Sequence, residues 1–293
     1  MAPILGLASE TGAVLEVYKR LLRDNSSEEQ AREVLKQELG DVLWFCASIA
    51  TANNLSLDEI AEYNLTRARN RYGDLKPSEL PNFDANSIPE QRFPRRLVVK
   101  FTEVGGQNGR KQAQLHLVAA EPNAFPKGSR TAINGKRIGY DVGQVLGDPL
   151  TDHQRNADAY RFHDAIHLGF MAVLGWSPVM RYMLRIKRKA DADAEEGDDS
   201  ARQVFAEEGL AAVLAQLAKK RLGFLHERSV NETVLDIVHA ITMDVEARAC
   251  PDRLWAAAIT QGFQVLHQLS QNGGGYVIAN LDTRTLEYRK QWP

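Results

Sequence analysis

Three segments at the start of the chain carry apolar residues at helical spacing, and short polar breaks separate them. The apolar positions of the first segment are Leu7, Val14, Leu15, Tyr18, Leu21 and Leu22. Ser27 with Gln30, and Ser56 with Glu59, form capping boxes that predict where the second and third helices begin. Helices this close in sequence predict a short-loop helical bundle over residues 1–75.

The composition changes after this bundle, where prolines and glycines become frequent. Residues 76–152 are therefore predicted to be a linker, mostly loop, with one β-hairpin formed by 97–102 and 112–118. Helical periodicity returns in residues 153–293, which we predict to be an α-helical domain ending in a hairpin at 276–288. The predicted fold class is mainly α, and the two hairpins are able to share one small sheet.

Positive and negative charges nearly cancel, with 36 basic and 38 acidic side chains and a formal net charge of -2. Because binding to a phosphate backbone requires a basic surface, we expect neither a nucleic-acid partner nor a membrane partner. Cys46 and Cys250 lack the spacing of a zinc site or a disulfide framework. No apolar run is long enough to span a bilayer and no secretory signal is evident, so we expect a cytoplasmic protein.

Three acidic residues border the apolar seam of the predicted bundle. Glu38 and Asp41 are three positions apart, so both carboxylates project from one face of the second helix. An antiparallel first helix would bring Glu10 against them. Acids beside a buried seam require neutralisation, and a hard cation such as Mg²⁺ prefers carboxylate oxygens as ligands. The pattern therefore favours a magnesium site between the first two helices.

The order of these motifs resembles the MazG-type all-α nucleoside triphosphate pyrophosphohydrolases over residues 4–74. That family is marked by an ExxE motif followed, one helix later, by an ExxD motif. The matching parts of this sequence are Gly6 to Gly12 (GLASETG), Glu38 to Trp44 (ELGDVLW), Asn64, Arg67 and Arg71 with Tyr72. Three ordered motifs make the resemblance specific, whereas one ExxD motif alone would not.

The resemblance implies hydrolysis of a nucleoside triphosphate, NTP or dNTP, to the monophosphate and pyrophosphate, as nucleotide house-cleaning or depletion. It implies Mg²⁺ as cofactor, with Mn²⁺ as an alternative, and a homo-oligomer that covers apolar seams. Transferred position by position, the catalytic residues and metal ligands are Glu10, Glu38 and Asp41. Asn64 would contact the metal, and Arg67 and Arg71 would bind the substrate phosphates.

The sequence departs from the family pattern in two places. The second acid of the ExxE motif should stand at position 13, where this chain has Ala13. Glu16 is no obvious replacement, since it lies about 240° around an ideal helix from Glu10. The site is thus a natural variant, a weakened site or a deliberately inactivated one. Family members also usually carry one more helix before Gly6, and we expect this helix to be absent, truncated or supplied by a partner chain.

Two other interpretations place the function in the second half of the chain. In one, Ala13 has left a catalytically silent nucleotide-binding or interaction protein. In the other, His163, Asp164 and His167 form the metal site and the first domain serves dimerisation. A His-Asp pair is also found in HD-type phosphohydrolases, for which the further candidates are His153, Asp236 and His239. The alternative is that these histidines only cap or pack a helix.

Two charged segments of the second half have a plainer interpretation. Glu207 and Glu208, with the acids of the following helix, either belong to a diverged second bundle or lie on charged outer faces. The basic residues between Arg181 and Lys189 could attract phosphate, but we interpret them as a helix C-terminus followed by a solvated loop.

Overall fold

The computed structural model describes residues 2–24, 28–73, 80–105, 111–125, 132–133, 136–152, 158–226 and 230–292. The chain divides into two compact units, Met1–Gly73 and Asp74–Pro293, which are described separately. The predicted capping residue Ser27 and the candidate ligand His153 lie outside the described residues.

The first unit consists of three helices: α1 (Ala2–Asp24), α2 (Glu28–Ala52) and α3 (Leu57–Tyr72). The predicted capping box of α3 is confirmed: the Glu59 amide donates to Ser56 Oγ at 3.1 Å, and the Ser56 amide donates to the Glu59 carboxylate at 2.8 Å. Helices α1 and α2 pack along each other, and Val17 of α1 and Ala50 of α2 are buried. These are the predicted helices.

Helix α3 differs from the expected bundle helix because, as far as the described residues go, it packs along neither α1 nor α2. All its described residues from Leu57 to Asn70 are exposed. Apolar side chains that should fill a bundle core, such as Ile60 and Tyr63, therefore face outward, with 42% and 68% of their surfaces exposed. In one chain, the described part of the first unit offers these side chains no surface to pack on.

The second unit is built around a five-stranded antiparallel sheet in the order β5-β2-β1-β6-β7. Both predicted hairpins are present and share this sheet. The segment 76–152, predicted to be a linker, thus supplies three of its strands. Strand β5 falls in a stretch predicted to be loop, because its Gly and Pro residues mask the strand pattern. The strands are β1 (Arg96–Gly105), β2 (Lys111–Glu121), β5 (Val145–Thr151), β6 (Gly274–Asn280) and β7 (Thr285–Arg289), with a separate short pair β3 (Ala132–Ile133) and β4 (Lys136–Arg137).

More than half of the described residues are helical, in line with the predicted mainly α class, but in the second unit the helices pack on this five-stranded sheet. Helix α9 packs against α4 and lies against β6 and β7. Trp176, Trp255 and Phe170 are buried in the shared core. The helices are α4 (Asp164–Gly169), continued by a π-helical turn at Phe170–Leu174, then α5 (Pro178–Leu184), α6 (Ala192–Gly197), α7 (Ala201–Ala218), α8 (Glu232–Thr242) and α9 (Asp252–Asn272).

Two glycines connect the last helix to the sheet. Gly273 ends α9 with a left-handed φ of 69°, a conformation that costs glycine little. Gly274 has a φ of 114°, and a Cβ there would lie 2.5 Å from the Phe101 carbonyl oxygen. The glycine run thus does more than end a helix, since it lets β6 approach β1 closely.

A buried ion-pair network contradicts the solvated loop predicted after α5. Arg181 and Arg188 are 1% and 3% exposed. Arg188 donates to Asp199 at 2.8 Å and to Glu246 at 2.8 Å, and Arg181 pairs with Asp84 and lies 3.4 Å from Asp199. The prediction was wrong because the partners are distant in sequence, and no local pattern shows that these cations will be enclosed.

Among the described residues, no helix is long and apolar enough to cross a membrane.

Candidate functional site

The pairing of α1 with α2 brings together the three acids predicted from the sequence. One carboxylate oxygen from each of Glu10, Glu38 and Asp41 lies within 4.8 Å of the other two. Glu10 and Glu38 are half-buried beside the seam, and Asp41 is exposed. Helical spacing places the two α2 acids on one face, and packing along α1 adds the third. Two of the three carboxylates therefore lie beside the helix seam, and the third is exposed to solvent.

The donor set suits a hard divalent cation. Mg²⁺ binds oxygen ligands at about 2.0–2.1 Å, so adjacent ligand oxygens lie about 2.9 Å apart and opposite ones about 4.2 Å apart. Three carboxylate oxygens within 4.8 Å of one another need only small side-chain rotations to reach such distances. Three ligands also leave octahedral positions for water and for phosphate oxygens.

Position 13 contributes no ligand to this cluster. Ala13 is half-buried on α1, and its methyl group has no donor atom. Glu16 is absent from the acid cluster and instead pairs with Lys19 at 3.0 Å and Arg20 at 3.5 Å. The hydrogen bond from Lys19 is the main cause that lowers the pKa of the Glu16 carboxyl. The structure thus agrees that Glu16 does not replace the missing acid.

The predicted phosphate-binding residues lie on α3. Asn64 and Arg67 are exposed, and Arg71 is half-buried near the end of the helix. The guanidinium of Arg67 lies 5.9 Å from the centre of the Tyr63 ring. Because α3 packs along neither α1 nor α2, the structure assembles the acidic part of the predicted site without packing the basic part onto it.

A second cluster of candidate ligands lies in the second unit. His163 and His167, one helical turn apart at the start of α4, lie against Glu208 of α7. Their Nε2 atoms are 3.3 and 3.5 Å from the Glu208 Oε2 atom. Asp164 adjoins the group, with an oxygen 3.7 Å from His163 Nδ1. The sequence singled out both histidines and Asp164 but not their acidic partner.

The charges of this cluster strongly affect one another. Burial by itself lowers the pKa of His167, but Glu207 and Glu208 outweigh burial and raise that pKa to about 10. Burial also opposes ionisation of Glu208, yet the two histidines hold the pKa of its carboxyl well below the usual range. Burial raises the pKa of Asp164, although both histidines oppose the rise. Such mutual shifts are typical of functional sites and of buried ion pairs alike.

The described residues do not assemble the cluster expected of an HD-type phosphohydrolase. His239 hydrogen-bonds to Asp252 at 2.8 Å, which raises the pKa of its imidazole. In the part of the chain that is described, neither His239 nor Asp236 joins the cluster of His163 and His167.

Sequence analysis missed the role of Glu207 and Glu208. Glu207 is fully buried, which rules out for this residue the charged outer face, one of the two interpretations of the helix. The spacing of His163 and His167 signals a ligand pair, but their acidic partners are about 40 residues further on. Only tertiary packing of α4 against α7 brings the four side chains together.

Comparisons with known proteins relate the chain to one family. Residues 129–292, more than half of the chain, match the family described as the MazG C-terminal domain. "Gene 37 protein" of Mycobacterium phage L5 is 32% identical over 69 residues, which are 23% of this chain and 60% of that protein. The chain thus spans less than two thirds of that relative. No solved structure matches. The resemblance of residues 4–74 and the family match concern different parts of the chain and agree on a MazG-type protein.

Proposed function

This chain belongs to the MazG C-terminal domain family, and from this premise we propose that its first unit hydrolyses nucleoside triphosphates to the monophosphate and pyrophosphate with Mg²⁺. The observation that carries the proposal is the convergence of Glu10, Glu38 and Asp41 to within 4.8 Å from two helices. Exposed acids often lie close together without a cation. Here, however, their order along the chain matches the acidic motifs of pyrophosphohydrolases.

The residues of the cluster would bind and orient the reacting groups. Glu10, Glu38 and Asp41 would hold the ion by one oxygen each, and Asn64 would add an amide oxygen from α3. The bound ion neutralises triphosphate charge and lowers the pKa of the attacking water. Arg67 and Arg71 would bind phosphate oxygens, where a guanidinium stabilises charge that develops during the reaction.

Ala13 gives a specific reason to consider a second function. A site with three carboxylates binds its cation less strongly than a site with four, because each ligand adds charge and a bond. The alternative is therefore a nucleotide-binding or interaction protein whose first unit has lost turnover. Its activity would then lie in the second unit.

Restoring an acid at position 13 separates the two functions. We expect Ala13→Glu to release pyrophosphate from at least one NTP or dNTP, with Mg²⁺, at least about 10-fold faster than the original chain, because a fourth carboxylate would strengthen binding of the ion that stabilises charge during the reaction. The measurement is a coupled pyrophosphate assay over a panel of triphosphates. Thr11→Glu, at an exposed position of the same helix, is the matched control. No pyrophosphate release from either the original chain or Ala13→Glu would refute the proposed hydrolysis.

We also propose that a second copy of the chain covers the first unit. Its helices leave many large apolar side chains exposed, which is unusual for a surface in contact with water. Leu43 and Trp44 of α2 are 62% and 64% exposed, and Leu15 of α1 is 66% exposed. A symmetric homo-oligomer would bury these side chains against the same surface of another copy.

Light scattering coupled to size exclusion tests the proposed oligomer. We expect the original chain to have a mass that is a multiple of 32.7 kDa, and Trp44→Glu to shift the mass towards one copy. A charge at the interface would be buried without a partner, which association does not tolerate. Phe205→Glu, at a 79% exposed aromatic of α7, is the control. A mass of one copy for the original chain would refute the oligomer.

A further inference from the structure

The second unit contains a ligand cluster that the proposed hydrolysis does not use. We propose that His163, His167 and Glu208 bind a divalent transition-metal ion such as Zn²⁺, and that its open coordination position accepts an oxygen of a small, largely apolar molecule. This inference does not rest on the proposed function of the first unit, because all its residues lie in the second.

The geometry of the three donor atoms fits such an ion. Zn²⁺ binds imidazole nitrogen and carboxylate oxygen at about 2.0–2.2 Å, so neighbouring ligands of a tetrahedral site lie about 3.3–3.5 Å apart. The Nε2 atoms of His163 and His167 lie 3.3 and 3.5 Å from Glu208 Oε2. The three donor atoms all lie within 4.8 Å of one another. Two imidazoles and one carboxylate also leave a coordination position open, as in catalytic metal sites.

A second carboxylate orients the buried histidine towards this point. Glu207 Oε1 lies 2.8 Å from His167 Nδ1, and neither side chain is exposed to solvent. Glu207 also accepts hydrogen bonds from the Ser177 hydroxyl at 2.7 Å and the Val179 amide at 2.8 Å. A carboxylate behind a metal-binding imidazole fixes its tautomer and ring orientation in many metal sites.

That arrangement leaves a buried nitrogen aimed into the cluster. His167 Nε2 is buried and makes no hydrogen bond of ordinary length among the described residues, since Glu208 Oε2 lies 3.5 Å away. An unsatisfied buried polar atom costs free energy, so its persistence needs an explanation. A metal ion at the meeting point of the three donors supplies one. It also offsets charge, because three carboxylates, those of Asp164, Glu207 and Glu208, surround two imidazoles here.

A cavity of about 290 Å³ adjoins the cluster. His163 lines it, as do Ala212, Ala215 and Lys219 of α7. Glu208 precedes Ala212 by four positions, so it lies on the same face of the helix one turn earlier. Of the three proposed ligands, His163 also lines the cavity, so the metal cluster and the cavity adjoin through this residue.

The lining of this cavity indicates the kind of molecule that it holds. Ile166, Leu225, Phe263 and Leu266 give it apolar walls, and Lys219 and Asp158 add one charge of each sign. The volume lies near the lower end of the range for small-molecule sites. These properties fit a compact ligand with an apolar body and an oxygen, such as that of a carboxylate or hydroxamate, that coordinates the metal.

Metal binding by the full chain tests the first part of the inference. We expect the protein, once stripped of metal with a chelator, to bind one Co²⁺ or Zn²⁺ in its second unit. Calorimetry and the visible absorption of Co²⁺ measure this binding. His163→Ala and Glu208→Gln should weaken binding more than about 100-fold, because removing even an outer-shell partner costs 10- to 100-fold. Both substitutions leave the fully buried His167 unchanged, because replacing a buried residue endangers folding.

Two control variants make the result specific. His239→Ala removes a histidine that pairs with Asp252 outside the cluster, and it should leave binding unchanged. Glu38→Gln removes any contribution of the acidic cluster in the first unit and should also leave this binding intact. Circular dichroism and thermal unfolding in chelator confirm that each variant is folded. The inference is wrong if the original chain binds no Co²⁺ or Zn²⁺, or if Glu38→Gln abolishes binding while His163→Ala does not.

Small metal-binding probes test the open position and the cavity. We expect azide and benzohydroxamate each to change the visible spectrum of the Co²⁺-loaded protein. Ala212→Phe should weaken benzohydroxamate more than about 10-fold and leave azide unchanged, because a phenyl group in the cavity excludes a bulky body but not a small anion. A spectrum that responds to neither probe contradicts an open position. Equal benzohydroxamate affinity in both proteins contradicts use of the cavity.

Discussion

Glu38→Gln should lower the rate of pyrophosphate release at least about 100-fold, in the original chain or in Ala13→Glu, whichever turns over faster. The amide is isosteric with the carboxylate but carries no negative charge, so the variant tests charge rather than shape. Glu38 is one of the three acids of the cluster, and its loss leaves two carboxylates to hold a divalent cation. The initial rate at saturating triphosphate and varied Mg²⁺ is the measurement.

A matched substitution controls for effects on the helix. Glu33→Gln removes an exposed carboxylate from the same helix outside the cluster, and its rate should stay within about twofold of its parent. Raising the Mg²⁺ concentration should partly restore activity to Glu38→Gln if binding is the main loss. Equal rates for Glu38→Gln and Glu33→Gln would show that the cluster is not the catalytic centre.

Asp199→Ala should destabilise the second unit by about 3–5 kcal/mol, because it removes one partner of a buried ion-pair network. Asp199 is 1% exposed and accepts hydrogen bonds from the Arg188 amide and guanidinium at 2.7–3.1 Å. Arg181 Nε lies 3.4 Å from Asp199 Oδ1, the oxygen that also accepts from Arg188 at 2.8 Å. Without this carboxylate, two buried guanidinium groups share only Asp84 and Glu246 as anionic partners in the described network.

Urea unfolding, monitored by tryptophan fluorescence, measures the loss of stability in the second unit. Trp176 and Trp255 are buried in the second unit and report its unfolding. The control is Glu287→Ala, which breaks a pair with Arg289 whose side chains are about half exposed. Such a surface pair contributes at most about 1 kcal/mol. If the two variants unfold at the same urea concentration, the buried network does not contribute the expected free energy of unfolding.

The sequence predicted most local structure because that structure depends on neighbouring residues. The helix periodicity, the capping box at Ser56 and both β-hairpins follow from patterns a few residues long. It failed where distant contacts override the local pattern. Strand β5 is held by pairing with β2 rather than by its own alternation. Arg188 is buried because Asp199 and Glu246 enclose it, which its basic neighbours could not reveal.

The candidate sites show the same division. Two helices joined by a short loop are expected to pair, so the meeting of Glu10 with Glu38 and Asp41 could be predicted. The meeting of His163 with Glu208 could not, because α4 and α7 are separated by other helices. Likewise, the exposure of α3 could not be predicted, since an amphipathic pattern shows that a face is apolar but not which surface covers it.

The position of β1 in the middle of the sheet has a consequence for the order of events during synthesis. One edge of β1 pairs with the neighbouring β2, but the other pairs with β6, and Thr102 meets Gly274 more than 170 residues later. During translation, the edge of β1 that faces β6 therefore stays unpaired until β6 has emerged from the ribosome. Such distant pairing forms slowly. The second unit can complete its fold only after β6 and β7 have been made, whereas α1 and α2 can pair as soon as both are made.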